Sequence, residues 1–206
     1  MAIDMAHTAA TKARYNRLAP IYDKMEFLAE RGFKQWREKL WSLVPKGRVL
    51  EVGVGTGKNM PYYPESVQVT AVDLSDKMLA QARRRAAREN VDVALHEMDA
   101  QALRFEDDSF DAAVATFVFC SVPDPVRGLR ELGRVVRPEG RILLLDHVRV
   151  NRPVIGRLMD WLNPLVVRVM GANINRRTVD NVQRAELVIE RVEDLAPLGL
   201  VKLIVA

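Results

Sequence analysis

A single cysteine, Cys120, is the only thiol in this chain of 206 residues. That excludes an internal disulfide and any cysteine-rich metal site. No cluster of side chains with convincing metal-ligand spacing takes its place, so no metal is expected. Long hydrophobic runs are missing as well: no uninterrupted apolar stretch reaches the roughly 18 residues of a membrane-spanning helix. Met1 to Ala10 contains Asp4 and His7 and no long apolar run, which argues against a signal peptide. A cytoplasmic protein is the resulting expectation, with peripheral membrane attachment left open by the charge pattern. Repeats, linkers and low-complexity segments are also lacking. What remains is 49% hydrophobic and 28% charged, ordinary for a soluble globular protein. The length suits one domain with a full core.

The most informative stretch is residues 48–59, Arg-Val-Leu-Glu-Val-Gly-Val-Gly-Thr-Gly-Lys-Asn. An apolar strand, Val49 to Val52, runs into three glycines on alternate residues, Gly53, Gly55 and Gly57. A second strand, Val67 to Val72, ends in Asp73. Glycine permits a sharp turn and lets a ligand lie against main-chain N–H groups. An acid at the tip of the next strand can accept hydrogen bonds from a ribose. The stretch therefore reads as the nucleoside-binding half of a parallel α/β sheet. A nicotinamide fingerprint would need a small residue at position 58, where Lys58 stands, and a P-loop would need Ser or Thr where Asn59 stands.

Positive charge is local. Between His147 and Val179 lie six arginines (Arg149, Arg152, Arg157, Arg168, Arg176, Arg177) and one acid, Asp160, a window of +5 in a chain of +4. Such a window suits lipid headgroups or nucleic acid, although a solvated helix face looks the same. Base-stacking aromatics are nearly absent from it, which disfavours nucleic acid. The same window carries a wide apolar face, Val154, Ile155, Leu158, Met159, Leu162, Leu165, Val166, Val169 and Met170, edged by Arg157, Asp160, Pro164 and Arg168. It would cover a greasy pocket, pack as a lid on its own domain, or rest on an anionic membrane. Pro164 is expected to break or kink it.

Residues 8–44 read as helical with a break near Pro20; Met25, Leu28, Trp36, Leu40 and Leu43 recur at helical spacing, and Pro45-Lys46-Gly47 ends the segment. Ser75 is a plausible N-cap for a helix through about Arg88. A short strand, Val91 to Glu97, follows. A polar turn, Phe105 to Asp111, precedes the strand Ala112 to Phe117. A helix from about Val126 to Val136 stops at Arg137-Pro138-Glu139-Gly140, before the strand Arg141 to His147. Alternating strands and helices imply right-handed β-α-β units, hence a parallel sheet with helices on both faces. Leu187 to Val192 and Leu200 to Val205 are close enough for an antiparallel hairpin.

With Glu51 opening the glycine loop and Asp73 after it, residues 48–147 resemble the domain of class I S-adenosylmethionine-dependent methyltransferases of the ubiquinone/menaquinone type. The blocks Leu50 to Gly57, Phe105 to Asp111 and Leu132 to Gly140 carry that resemblance. Tyr15 to Asp23 is similar to the N-terminal segment of the group, most of all to bacterial phospholipid (phosphatidylethanolamine) N-methyltransferases. Thr116 to Pro123 and Asp146-His147-Val148 also resemble membrane-associated thiol methyltransferases. The resemblance implies a Rossmann-like class I methyltransferase fold, a mostly parallel seven-stranded sheet with a C-terminal antiparallel hairpin. It implies one domain over 1–206: a helical cap (1–44), a cofactor-binding core (48–147), a helical lid or insertion (148–186) and a strand pair (187–206). The implied cofactor is S-adenosyl-L-methionine, with S-adenosyl-L-homocysteine as product.

Roles follow from that resemblance and from chemistry. Gly53, Val54, Gly55 and Gly57 would pack against the methionine part, with Asn59 opening the next helix. Asp73 would accept from the ribose, Leu74 and Met78 would flank the adenine, and Asp99 and Ala100 would meet its edge. Thr116, Phe117 and Ser121 stand where cofactor and acceptor meet. Tyr22 would fold over the cofactor or acceptor amine, and His147 could act as base or hydrogen-bond partner. Cys120 reads as a small core residue. The expected acceptor is lipid-like or hydrophobic, with headgroup N-methylation of phosphatidylethanolamine first. Quinone-precursor C-methylation and thiol or small-molecule methylation are alternatives. A non-catalytic nucleoside- or nucleic-acid-binding protein is the reading from a different class.

Overall fold

The computed structural model describes residues 3–206, apart from the side chains of Glu26, Leu28, Ala29, Arg31, Val169 and Met170. Met1 and Ala2, and the side chains of Leu28, Val169 and Met170 named above, thus lie outside the described residues. Seven strands form one sheet: β1 (Gly47–Val52), β2 (Val67–Asp73), β3 (Ala94–Glu97), β4 (Phe110–Thr116), β5 (Val136–His147), β6 (Arg191–Asp194) and β7 (Val201–Val205). Their order is β3-β2-β1-β4-β5-β7-β6. The first five are parallel, and β7 runs antiparallel to both β5 and β6. The helices are α1 (Met5–Leu18), α2 (Tyr22–Ser42), α3 (Asp76–Glu89), α4 (Pro125–Val135), α5 (Pro153–Met170) and α6 (Thr178–Arg184).

The central strands are apolar at nearly every position because both of their faces are covered. Side chains alternate across the sheet. Leu50, Val52, Ala113, Ala115, Ile142, Leu144 and Ile204 enter one core with Leu129, Leu132 and Val135 of α4 and Val182 of α6. Val49, Ala112, Val114, Leu143, Leu145 and Leu203 enter the other with Leu40 and Trp41 of α2 and Leu79 and Ala82 of α3. Alanine at 112, 113 and 115 leaves room for the larger side chains of both helix layers. The strand order reverses between β1 and β4, which opens a crevice at their C-terminal ends.

Local chemistry sets the helix ends. Ser75 caps α3, its hydroxyl accepting from the Met78 N–H at 3.1 Å, and Asp124 caps α4 by accepting from Arg127 N–H at 3.0 Å. Asn90 ends α3 in the left-handed region, at φ 53°.

Several boundaries differ from the sequence expectation. The β1-to-β2 connection holds only a 3-10 turn, Met60–Tyr62, in place of a full helix, because Pro61 and Pro64 interrupt it. β3 begins at Ala94 rather than Val91; Val91 and Val93 pack against the core from the loop after α3. Arg137 to Gly140 does not separate α4 from a later strand. It is an irregularity inside β5, where pairing skips from Phe110–Val136 to Ala112–Arg141. β6 starts at Arg191, since Leu187 and Ile189 pack into the α4 core and Glu186 turns the chain at φ 66°. Pro164 sits inside α5 without ending it.

Leu132 is fully buried and Leu158 of α5 is 52% exposed. Leu132→Ala should therefore lower unfolding free energy by about 2–5 kcal/mol. Leu158→Ala should stay within about 0.5 kcal/mol. Urea titration of both variants checks the contrast.

Candidate active site

β1 ends at Val52 and the chain turns through Gly53, Gly55 and Gly57, at φ 70°, 56° and 84°. L side chains rarely adopt such angles. The three glycines then do different things. A Cβ on Gly53 would overlap the Val118 side chain, so the turn sits hard against the loop after β4. A Cβ on Gly55 would meet nothing within 4 Å, because it faces open space. Gly57 turns inward, where a Cβ would come within 2.8 Å of Met60.

Asp73 holds this loop. One carboxylate oxygen accepts from Gly55 N–H at 2.8 Å and the other from Ser75 N–H at 2.8 Å. Loss of hydration pushes its pKa up to about 6, against the pull of those backbone donors. A carboxylate has about four lone-pair sites, so capacity remains for further donors.

Around these groups lies a cleft enclosing about 720 Å³ of empty space, mouth included. That is ample for a nucleoside with a side chain. Val52, Val72, Leu74, Met78, Met98 and Ala100 form an apolar slot in its wall, with Asp73 and Asp99 as acids. Gln101 donates to Asp99 from its backbone and its side-chain amide at 2.9–3.0 Å. Slot, acids and the open side of Gly55 fit an adenosine carrying a charged tail.

The β4 end supplies Thr116, Phe117, Val118 and Ser121. Phe117 is held at φ 59°, a strained value for an aromatic residue. Its ring is stacked on His147 at 4.5 Å and tilted against Phe33 at 4.7 Å, with the Arg37 guanidinium 5.7 Å from its centre. His147 therefore stands behind Phe117 and is not among the cleft-lining residues. Tyr22, at the start of α2, does line it. α2 is tied over the glycine loop: Thr56 donates to Asp23 at 2.6 Å, and Lys58 pairs with Glu30 at 3.2 Å.

Beneath the loop runs a buried polar network. Asn59 donates to Glu51 at 2.7 Å and to Thr116 at 3.0 Å, and accepts from Arg37 at 2.6 Å. Tyr63 also donates to Glu51. Burial raises the Glu51 pKa despite these bonds.

Of the residues predicted from sequence, Tyr22, Gly53, Gly55, Asp73, Leu74, Met78, Asp99, Ala100, Thr116, Phe117 and Ser121 meet at the cleft. Val54, Gly57, Asn59 and His147 do not line it. Val54 is buried in the core, and Asn59 points into the network instead of simply opening a helix. Sequence reading missed Thr11 and Tyr15, which reach the cleft from α1. Their four-residue spacing puts them on one helix face, which was the available signal.

A model of the methyltransferase domain matches residues 50–144. The chain is 44% identical to a phosphatidylethanolamine N-methyltransferase of Cereibacter sphaeroides over 49% of its own length and 51% of the relative's. The match thus spans about half of that enzyme. It is 31% identical to a ubiquinone/menaquinone biosynthesis C-methyltransferase of Bdellovibrio bacteriovorus, over 76% of this chain and 70% of that one. A Thermotoga maritima S-adenosylmethionine-dependent methyltransferase superposes with TM-score 0.72 at 22% identity, covering 95% of this chain and 98% of the other.

Asn59→Ala should leave Glu51 and Arg37 short of partners in the interior. A loss of about 2–4 kcal/mol in unfolding free energy is expected, read by urea denaturation.

Proposed function

Because the chain belongs to the class I S-adenosylmethionine-dependent methyltransferases, with S-adenosylmethionine as cofactor, we propose that it methylates the amine of a phosphatidylethanolamine headgroup at an anionic membrane surface. The observation that carries this reading is the outer face of α5. Val154, Leu158, Trp161 and Leu165, spaced four, three and four residues apart, are 80%, 52%, 77% and 61% exposed. Arg152, Arg157 and Arg168 are exposed around them. An apolar stripe with an interfacial tryptophan and arginine flanks suits the headgroup region of a bilayer. No helix among the described residues is long and apolar enough to cross one. The 44% identity to a phosphatidylethanolamine N-methyltransferase over 49% of this chain supports the same acceptor.

The arginine cluster needs revision. Arg149 pairs with Asp160 at 2.9 Å, and Arg176 turns inward to donate to the backbone oxygens of Val122 at 2.8 Å and Cys120 at 3.3 Å. Arg177 lies 3.7 Å from Asp180. Membrane contact is therefore assigned to Arg152, Arg157 and Arg168.

S-adenosylmethionine supplies a methyl group on a sulfonium already activated for displacement. The chain's own residues hold the nucleoside, align the acceptor and exclude water. We assign the ribose hydroxyls to Asp73 and the adenine to the slot of Leu74, Met78, Met98 and Ala100, with Asp99 at its edge. The methionine portion falls to the open side of Gly55, next to Gly53, on a loop that Val54, Gly57 and Asn59 shape from behind. Thr116, Phe117 and Ser121 wall the acceptor side, and Tyr22 closes the cleft from the cap. His147 supports the Phe117 ring.

Quinone-precursor C-methylation is the second reading, favoured by the 31% identity that extends over 76% of the chain. One experiment separates the two. Label from radioactive S-adenosylmethionine should enter phosphatidylethanolamine in anionic vesicles, decline with salt, and fall several-fold in Trp161→Glu. Label entering a demethylated quinol but no lipid would replace the first reading with the second.

Ribose hydroxyls donate to the ionised form of Asp73, so binding favours the carboxylate. Above pH 7 the affinity for S-adenosylhomocysteine should be flat. Below about pH 6 it should weaken, by up to about tenfold per unit, as the free carboxylate takes a proton. Calorimetry across pH 5–8, with Asp73→Asn weak and flat throughout, checks this (~10-fold weaker at pH 7).

A further inference from the structure

We propose that the hydrogen-bonded pair Tyr15–Ser121 is the acceptor subsite, binding the N–H groups of a primary or secondary amine headgroup; this rests on the phospholipid-amine reading above. The Tyr15 hydroxyl lies 2.5 Å from the Ser121 hydroxyl, across 106 residues of sequence, and both side chains line the cleft.

Each partner is held from outside. α1 is pinned across the cleft by Lys12 to Glu97 at 2.5 Å and by Asn16 to Asp76 at 2.8 Å. Thr8 adds its contact with Gln101 at 3.2 Å. These bonds leave Thr11 and Tyr15 facing the cleft. Ser121 is placed by its neighbour: the Cys120 carbonyl accepts from Asn173 N–H at 3.0 Å, from the Asn173 side-chain amide at 2.8 Å and from Arg176. Asn173 is in turn bonded to Asn163 of α5 at 3.1 Å. Gly171, the left-handed cap of α5, lies against α1: a Cβ there would overlap Arg14 at 2.8 Å and touch the Tyr15 hydroxyl at 3.6 Å. The segment carrying the exposed apolar stripe thus backs this pair from outside, beside Tyr15 and at the Cys120 carbonyl.

The chemistry suits an amine. A hydroxyl pair keeps lone pairs for N–H donors while carrying no charge at neutral pH. A carboxylate in the same place would favour the ammonium, which has no lone pair with which to attack. The buried acid Asp146 accepts from Thr178 at 3.0 Å, and the cleft acids Asp73 and Asp99 are engaged by Gly55, Ser75 and Gln101. In the transfer the N–C bond forms from the amine lone pair as the C–S bond breaks, sulfur keeping that electron pair. The product ammonium then loses its proton to water at the cleft mouth. Each methyl added removes one N–H, so the trimethylated product has none left for the pair.

The test is Tyr15→Phe, Ser121→Ala, the double variant and Ser121→Thr. Calorimetry reads binding of short-chain phosphatidylethanolamine and phosphatidylcholine to the S-adenosylhomocysteine complex; a methyl-transfer assay reads kcat and KM. Wild type should prefer the amine lipid by about tenfold, as expected for one or two hydrogen bonds. Tyr15→Phe and Ser121→Ala should each lose that preference and about 10–100-fold in kcat, the double variant little more, because the two act as a unit. S-adenosylhomocysteine affinity should stay within about twofold, which also reports folding, and Ser121→Thr should restore the preference. Variants that keep both the preference and kcat overturn the subsite alone. Wild type that neither binds nor methylates phosphatidylethanolamine overturns the acceptor reading and the subsite with it.

Discussion

Two backbone N–H groups on one carboxylate hold the working end of this protein together. Asp73 accepts from Gly55 and from Ser75, and so links the loop after β1 to the first turn of α3. Ser75 then caps that helix and bonds to Asn16 of α1. One acid therefore sets the spacing between glycine loop, helix and cap. Burial pushes its pKa up to about 6, so the clamp keeps a partly desolvated charge at the place where a polar ligand would meet it. Energy stored that way is recovered when donors arrive.

Behind the clamp, a second set of polar groups makes the loop rigid. Glu51, Asn59, Thr116 and Arg37 join β1, the glycine loop, β4 and α2 in a single buried network. Interior charges of this kind contribute little net stability but strongly penalise any arrangement that leaves one unpaired. The cap helix α2 is thus committed to one position over the sheet. Arg37 also lies beside the strained Phe117 ring, on which His147 is stacked. A strained backbone persists when its surroundings over-determine it, and here side chains of α2 and β5 do so.

α5 and the segment after it meet the sheet at the β4 exit. Arg176 and Asn173, from the segment after α5, grip the Cys120 carbonyl one residue from Ser121. The outer face of α5 remains exposed while its C-terminal end abuts Tyr15. One segment thereby carries an exposed apolar stripe on its helix and holds the loop that bears Ser121.

Much of this was legible in the sequence. The glycine spacing, Glu51, Asp73 and the apolar runs determined the sheet, the cleft beside the glycine loop and the C-terminal hairpin, because short-range backbone needs and two-sided burial leave few alternatives. Eleven of the residues named from sequence gather at the cleft for that reason. Other matters depended on contacts across long chain separations. No local pattern brings Tyr15 to Ser121, turns Arg176 inward, or puts His147 behind an aromatic ring. Nor does local pattern reveal that Val154, Leu158, Trp161 and Leu165 stay exposed, since a helix face covered by its own domain has the same periodicity. Sequence determined which chemistry the chain can hold; only tertiary packing decided which side chains line the cleft, because that choice is made where α1, α2 and the β4 exit converge.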